Sequence, residues 1–567
     1  MSQDFSTKAV YDPILGDLSD KIGFDVKLGP ANRTFQSFNS NSGNNAGQLQ
    51  FSVNPPSAST ILSRDIFVQS TVRFALTITN VAANTQAFQY GITDSLQSFP
   101  LNRIFNTVTL SLNNVSTSVN SNYVVSPLVR MMDQEYMQKC NGMTPTYLDQ
   151  WGSLADAQPS ASNPMGGYQS AGYGIFEQPR GCHPLKNVTY SRQSFAGGVP
   201  AGPPTDDSVS SNVTDVFTVT VDVVLTEEFI GLSPLVFGND MYNKSGMLGI
   251  NNMQIITNND VTLKRFFSTS TPENRGYTLS LVSLTDSKLL MEFLTAPISL
   301  VLPPKITLPY ASYTAYATQV AQAFPRRATL SSPLAGYRQE NINSIQLEVI
   351  PEKFIIFVRR RLADYNARTA DTFLEIGNVS ITFGNKSGLL SNASQQNLYQ
   401  LSKKNGLKNL NWLGFSGSAN NAVIAGAVSA DYPKFFPTAG SVLVIDPALD
   451  LGIDSPMLSN GSSGQFNLQM QVSTRNNGLE DVNAEIVVLA MRSGIVVTTS
   501  GTSTLTTNML NSNMVLQSIE KYTPSGPLGG ERMVGGGARS GGARSGGARS
   551  GGMSRSEGMS KLSALSM

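Results

Sequence analysis

Apolar and polar residues alternate along most of the chain. "VTLSL" sets Val108, Leu110 and Leu112 on one face and Thr109 and Ser111 on the other. "FTVTVDVVL" does the same with Phe217, Val219, Val221 and Val223, and "SIQLEVI" with Ile345, Leu347 and Val349. "NVSITF" (Val379, Ile381, Phe383) and "FNLQMQV" (Phe466, Leu468, Met470, Val472) complete the set. A period of two is the mark of half-buried strands, and Gly, Pro and Asn clusters separate them as turns. Helical spacing is rare. "SPLVRMMDQEYMQK" predicts a short helix with Ser126 as N-cap and Pro127 in the first helical position. "SQQNLYQLSKKNG" predicts another from Ser394 to Gly406, with Lys403 and Lys404 in its last turn. The pattern is that of an all-β protein.

The alternation has gaps, and they suggest a division. Residues 1–48 are polar and aperiodic and read as an N-terminal arm. Residues 49–238 read as a first β-domain, with long loops at about 141–215 where Gly, Pro, Ser and Asn dominate. A second β-domain is expected over 239–515, the boundary falling near "GLSPLVFGNDMYNKSG". Two domains suit 567 residues, because all-β units commonly run to about 200–250 residues. Residues 516–567 read as a flexible tail, in which "GGARS" occurs three times from Gly536 to Ser550. Such a repeat has no side chains with which to build a core.

Composition sharpens this picture. Charged residues make up 14% of the chain, against about 25% in ordinary soluble proteins. Amides and hydroxyls fill the polar positions instead, which suits surfaces covered by neighbours, where an unpaired charge is costly. The net charge is +1. From Glu531 onward six basic residues face two acidic ones, so the tail carries +4 and the remainder about −3. The body is therefore no general polyanion binder. Two cysteines, Cys140 and Cys182, make no disulfide framework. The start "MSQDFSTKAVYD" lacks the basic and apolar regions of a signal peptide, and no apolar run is long enough for a membrane span. Sequons such as those at Asn187 and Asn212 follow from the composition and read as unglycosylated.

Candidate chemistry is sparse. His183 is the sole histidine, which excludes zinc sites that need two. Its neighbour Cys182 points the other way in an extended segment, so the two make a poor nucleophile–base pair. There is no phosphate loop, nucleophile elbow or calcium loop. No catalytic residue, metal or cofactor is expected.

Three features remain. In "NPPSASTILSRD", Pro55 and Pro56 fix φ and remove two donors, so they form a stiff turn between "QLQFSV" and "DIFVQSTVRFALTI". Arg64 and Asp65 then stand at a strand entrance, paired or bound to turn carbonyls. Arg359, Arg360 and Arg361 follow the apolar run Phe354–Val358. They suit contact with nucleic acid or an acidic partner, or else a charged strand end that blocks edge-to-edge aggregation. The tail arginines Arg539, Arg544 and Arg549 suit contact with a packaged genome, a tether to another protein, or a removable segment.

Several segments, in order, resemble the double jelly-roll major capsid proteins of virophages and polinton-like double-stranded DNA viruses. They are "NPPSASTILSR", "FPLNRIFNTVTLSLNN", "IPEKFIIFVRR", "NVSITFGNKSGLLSNASQQNLYQLSKKNG", "GSVLVIDPALDLGI" and "FNLQMQVSTRN". The resemblance spans roughly residues 30–510 and leaves out the 141–215 loops and the tail. It implies two tandem eight-stranded jelly rolls, and homotrimers of pseudo-hexagonal outline that tile an icosahedral shell around a DNA genome. Partners would be neighbouring trimers and penton and minor capsid proteins, without membrane insertion, in the virion. "MVGGG" (Met533–Gly537) fits the pattern cut by adenovirus-type cysteine proteases, which some relatives encode. That implies maturation cleavage between Gly536 and Gly537. The competing readings are a fibre or cell-surface carbohydrate-binding β-sandwich, for which Trp151 and Trp412 are the only tryptophans, and a β-scaffold hydrolase.

Overall fold

Each alternating segment becomes a strand and buries the face that its apolar residues mark. The computed structural model describes residues 32–506, apart from 44–45, 58, 82–87, 89, 91–93, 134–143, 153–182, 196–214, 233–245, 270–275, 298–299, 330–331, 422–433 and 452–459. The first sandwich begins with β1 (Asn32–Asn39), β2 (Gln48–Val53), β3 (Ile61–Leu62), β4 (Phe67–Val81), β5 (Asp94–Leu96) and β6 (Phe105–Leu112). It continues with β7 (Val115–Asn120), β8 (Leu185–Phe195), β9 (Asp215–Glu228), β10 (Met253–Asn259), β11 (Phe267–Thr269) and β12 (Gly276–Thr295). One sheet runs β1-β12-β4-β9-β8, with β3 also on β12, and the other runs β2-β10-β6-β7. β10 lies between β2 and β6, and β12 between β1 and β4, all antiparallel. Pairing of strands so distant in sequence is the crossing pattern of a jelly roll. The two sheets share one core: Phe74 and Val221 from the first pack with Phe51, Leu110 and Ile255 from the second.

The second sandwich begins with β13 (Lys305–Gln319), β14 (Arg338–Asn341), β15 (Ile345–Val349), β16 (Lys353–Arg360), β17 (Glu375–Phe383) and β18 (Lys386–Leu389). It ends with β19 (Ser418–Asn421), β20 (Lys434–Pro437), β21 (Val442–Ile445), β22 (Ser463–Arg475), β23 (Ala484–Thr499) and β24 (Thr502–Thr506). Its sheets run β13-β23-β16-β21, with β24 on β23, and β14-β22-β17-β18, with β15 on β22. In the first of these, "FIIFVR" of β16, "VLVI" of β21 and the start of β23 are buried at every position. A strand covered on both faces has no need of alternation.

Five α-helices lie among the described residues: α1 (Pro100–Ile104), α2 (Ser121–Met131), α3 (Gln395–Lys404), α4 (Trp412–Phe415) and α5 (Pro447–Asp450). α3 starts on the Ser394 cap, whose side chain accepts from the Asn397 N–H. α2 corrects the expected start at Ser126. Asn120, closing β7, caps the helix by accepting from the Asn122 N–H, and Pro127 lies inside it. The N-cap role fell to the residue that ends the hairpin strand, which freed Ser126 for another bond described below.

The boundary expected at 238/239 also moves. β10 and β12 pair with β2 and β4, so the first sandwich closes only at Thr295 and the second opens at Lys305. The arm expected over 1–48 is in part a strand: β1 pairs with β12 from Asn32 to Asn39. β8 likewise forms inside the stretch expected as loops, on the sheet edge beside β9. Lys186, Asn187, Val188, Thr189 and Ser191 are exposed, so no apolar alternation announces it. Residues 507–567 lie outside those described.

One turn fixes the geometry before β21. Gly440 has φ +84°, and a Cβ there would sit 1.9 Å from the Phe373 carbonyl oxygen. Gly440→Ala should lower unfolding stability by at least about 3 kcal/mol in urea titration. Gly384→Ala, at φ +60° with open space around it, should cost only about 1 kcal/mol.

Candidate functional site

Buried charges concentrate where the two sandwiches meet. Arg103 of α1, 1% exposed, donates from Nη2 to Asp371 Oδ2 at 2.6 Å, from Nη1 to Ser126 Oγ at 2.6 Å and from Nε to the Ser98 carbonyl at 3.2 Å. Ser126 Oγ–H in turn donates to Asp371 Oδ1 at 2.9 Å. Arg130 Nη2 donates to the carbonyls of Asp149 and Asp371. The Asp371 N–H donates to Asp149 Oδ2 at 2.8 Å. One carboxylate on the loop between β16 and β17 is thus gripped by α1 and α2 of the other sandwich. Burial alone would raise the Asp371 pKa, but Arg103, Arg130 and the bonds from Ser126 and Arg103 outweigh it and bring it to about 2.

α1 is held in place by Glu227, from the end of β9. No side chain at Phe99 caps this helix. Instead the fully buried Glu227 carboxylate accepts from the N–H groups of Leu101 and Asn102 at 2.8 and 2.9 Å. It also accepts from Asn102 Nδ2 and Thr144 Oγ1, each at 2.8 Å. Burial raises its pKa against these four donors. The two backbone bonds satisfy N–H groups that the first turn of the helix leaves open, and the four together fix the segment that aims Arg103.

A second group lies alongside. Arg359 Nε pairs with Glu485 Oε1 at 2.8 Å, and its Nη1 donates to the Asn122 carbonyl at 2.9 Å. Its guanidinium stacks 4.9 Å from the Tyr123 ring. Arg265 donates to the Asn122 carbonyl and Oδ1 and to the Arg103 carbonyl. Burial, with Arg103 and Arg359 nearby, lowers its pKa to about 10, Asp371 and Tyr365 opposing. It therefore stays charged at neutral pH. Apolar contacts cross in both directions. Leu308, Tyr310 and Val496 join the first core, and Val119, Val124 and Leu128 join the second. Asn113 Nδ2 donates to Ser503 Oγ at 2.9 Å, and the Thr269 N–H to the Ala367 carbonyl at 2.8 Å.

The residues singled out by sequence fall in different places. Pro55 and Pro56 separate β2 from β3. Leu62 and Met247 then exchange two backbone hydrogen bonds of 2.8 Å. Arg64 is 3% exposed; burial lowers its pKa and neighbouring Asp65 opposes this. The Asp65 N–H donates to Ser63 Oγ at 3.2 Å. The reading of Arg359, Arg360 and Arg361 as outward basic contacts is corrected. Arg359 is buried in the seam, Arg360 pairs with Glu480 at 2.8 Å, and Arg361 donates to the Ala484 and Val320 carbonyls. Gly536, Gly537, Arg539, Arg544 and Arg549 lie outside the described residues. Among the described residues no three His, Cys, Asp or Glu gather as a metal site, and no helix is long and apolar enough to cross a membrane. Sequence reasoning missed Arg103, Asp371, Glu227, Arg265 and Glu485. The one available signal was Arg103 itself, a lone charge within "FPLNRIF".

Asp371→Asn should cost about 3–5 kcal/mol in urea titration, because it strands buried guanidiniums. Its pH dependence follows. The folded pKa is depressed below the unfolded value near 3.9, so the stabilisation is full above about pH 4 and fades as pH falls through about 2. The wild-type protein should lose about 2 kcal/mol across that window relative to Asp371→Asn.

Comparison with known proteins covers both sandwiches. The family model "Sputnik virophage major capsid protein 1st domain" matches residues 3–294, and "Major capsid protein V20 C-terminal domain" matches residues 313–494. The putative capsid protein V20 of Sputnik virophage is 27% identical over 510 residues, 86% of this chain and 77% of that protein. The cryo-EM structure of the Sputnik virophage has a similar chain, with TM-score 0.72, 24% identity and coverage of 91% of this chain and 96% of that one. The crystal structure of the mavirus major capsid protein matches with TM-score 0.62, 16% identity and coverage of 93% and 100%. With two jelly rolls in tandem and a family model over each, the chain belongs to the Sputnik virophage major capsid protein family.

Proposed function

We propose that this chain is the shell-forming subunit of an icosahedral virion, and that three copies form a pseudo-hexagonal capsomer. What supports this most directly is the seam. A trimer imitates a hexagon only if its six sandwiches hold fixed angles; the buried Arg103–Asp371 ion pair joins the two sandwiches of each chain, and Arg359, paired with Glu485 inside the second sandwich, reaches across to the Asn122 carbonyl. Exposed apolar residues supply material for contacts between copies. Phe35 on edge strand β1 is 83% exposed, and Val301 in the link between sandwiches is 91% exposed. An interface of thousands of Å² at about 25 cal/mol per Å² is a large gross term, from which association costs are subtracted. The role is structural, with no reaction assigned. Neighbouring trimers, penton proteins and minor capsid proteins are the partners of this reading.

The tail belongs to the same proposal. Its arginines Arg539, Arg544 and Arg549 can each replace a phosphate counterion on packaged DNA. In the alternative reading the tail is removed: a maturation protease separates Gly536 from Gly537 and releases these arginines, since paired glycines let the backbone extend into a narrow groove. Pro55, Pro56, Arg64 and Asp65 serve as the stiff turn into the first jelly roll.

Light scattering on the eluted protein should give the mass of three chains; a monomer that binds glycans would favour the fibre or adhesin reading. Intact-mass measurement on purified virions should find a chain ending at Gly536, and one still ending at Met567 would rule out the cleavage. Truncation after Gly530 should leave trimers intact and impair particle assembly or genome retention.

A further inference from the structure

A cleft of about 200 Å³ lies at the seam, between Gly152 and Thr269 of the first sandwich and the Arg368–Glu375 and Arg475–Val482 segments of the second. Three guanidiniums line it, from Arg360, Arg368 and Arg475. Two are already satisfied. Arg475 forks onto Glu375 with two bonds of 2.8 Å, and Arg360 pairs with Glu480 at 2.8 Å. Glu375 is further saturated by Tyr337, Gln395 and Asn477. Arg368 differs. Its backbone N–H donates to Asn366 Oδ1 at 2.9 Å, but its side chain makes no hydrogen bond or ion pair among the described residues. Asn477, 4% exposed and in the same lining, has an Oδ1 without a partner.

The walls therefore carry three cations against two carboxylates and lack one anion. Nucleic acid calls for a row of cations matched to successive phosphates, and this cleft has one to offer. An extended peptide bearing a carboxylate supplies an acceptor for Arg368 and backbone groups for the amide and hydroxyl walls. The chain itself contains such a peptide. Residues 1–31 hold five aspartates (Asp4, Asp12, Asp17, Asp20, Asp25) against three lysines and no arginine. Fully extended, such a segment reaches at most about 100 Å, far enough to meet a neighbouring copy. The tail, at +4, has the wrong sign.

We propose that the Arg368 cleft binds an aspartate of segment 1–31 from a neighbouring copy, so that each arm bridges two subunits across the seam of the second. The inference rests on the shell-subunit reading, and the two fail separately: a trimer that ignores the peptide sinks only this one.

The test is fluorescence anisotropy of a labelled synthetic peptide of residues 1–31 added to the full-length protein. Saturable binding is expected, weakened at least tenfold by Arg368→Ala and by 0.5 M NaCl. A peptide with all five aspartates changed to asparagine should bind at least tenfold more weakly to the unaltered protein, a readout that needs no protein variant. Because the Arg368 side chain holds no partner among the described residues, Arg368→Ala should keep its melting temperature. Absence of saturable binding would overturn the proposal. So would equal binding by Arg368→Ala or by the asparagine peptide, or displacement by an equimolar single-stranded DNA oligonucleotide.

Discussion

The structure depends on a carboxylate that cannot be left alone. Asp371 is buried between two sandwiches, and an isolated charge there would cost far more than the fold can spare. It is tolerable only because Arg103, Ser126 and Arg130 converge on it. Those groups converge only if α1 and α2 hold their places, which Glu227 and Asn120 secure by occupying the open helix N-termini. Each layer removes a degree of freedom from the next. Buried pairs of this kind add little net stability over an apolar contact of the same shape. What they add here is direction: a greasy interface tolerates sliding, whereas a bidentate contact between Arg103, Ser126 and Asp371 does not.

That property connects the fold to its role in a shell. Apolar side chains exchanged in both directions glue the two sandwiches together, with Tyr310 and Val496 entering the first core and Val124 and Leu128 the second. The buried polar bonds then fix the angle at which they are glued. A tile needs this, because an error of orientation within one subunit is repeated at every contact it makes with its neighbours. The low charge content has the same logic. Charges were kept where they lock the interior, and amides and hydroxyls were used where surfaces must be covered.

Strand positions were legible because one-sided burial writes a period of two into the sequence, as at Val108–Leu110–Leu112 and Phe466–Leu468–Met470. The α3 helix was legible through its Ser394 cap. The sandwich boundary was not, since β10 and β12 look like any other strands and only their partners, β2 and β4, assign them to the first sandwich. β8 was hidden for the opposite reason: an exposed edge strand has no apolar face to declare. The seam was the least legible part, because its partners lie far apart in sequence; Arg103 and Asp371 are separated by 268 positions.

The Arg359–Arg361 run shows why local charge is a poor guide at such a junction. Successive residues of a strand point to opposite faces, so three adjacent arginines cannot share one surface. Arg359 is sent to the face that meets α2, where Glu485, directly across the ladder on β23, neutralises it. Arg360 is sent the other way to Glu480. Arg361, past the strand end, is left to bind carbonyls of Ala484 and Val320. Read as a cluster, the run looks like a patch for a polyanion. Resolved by the pleat it becomes three separate anchors, the first of which helps to hold one sandwich against the other.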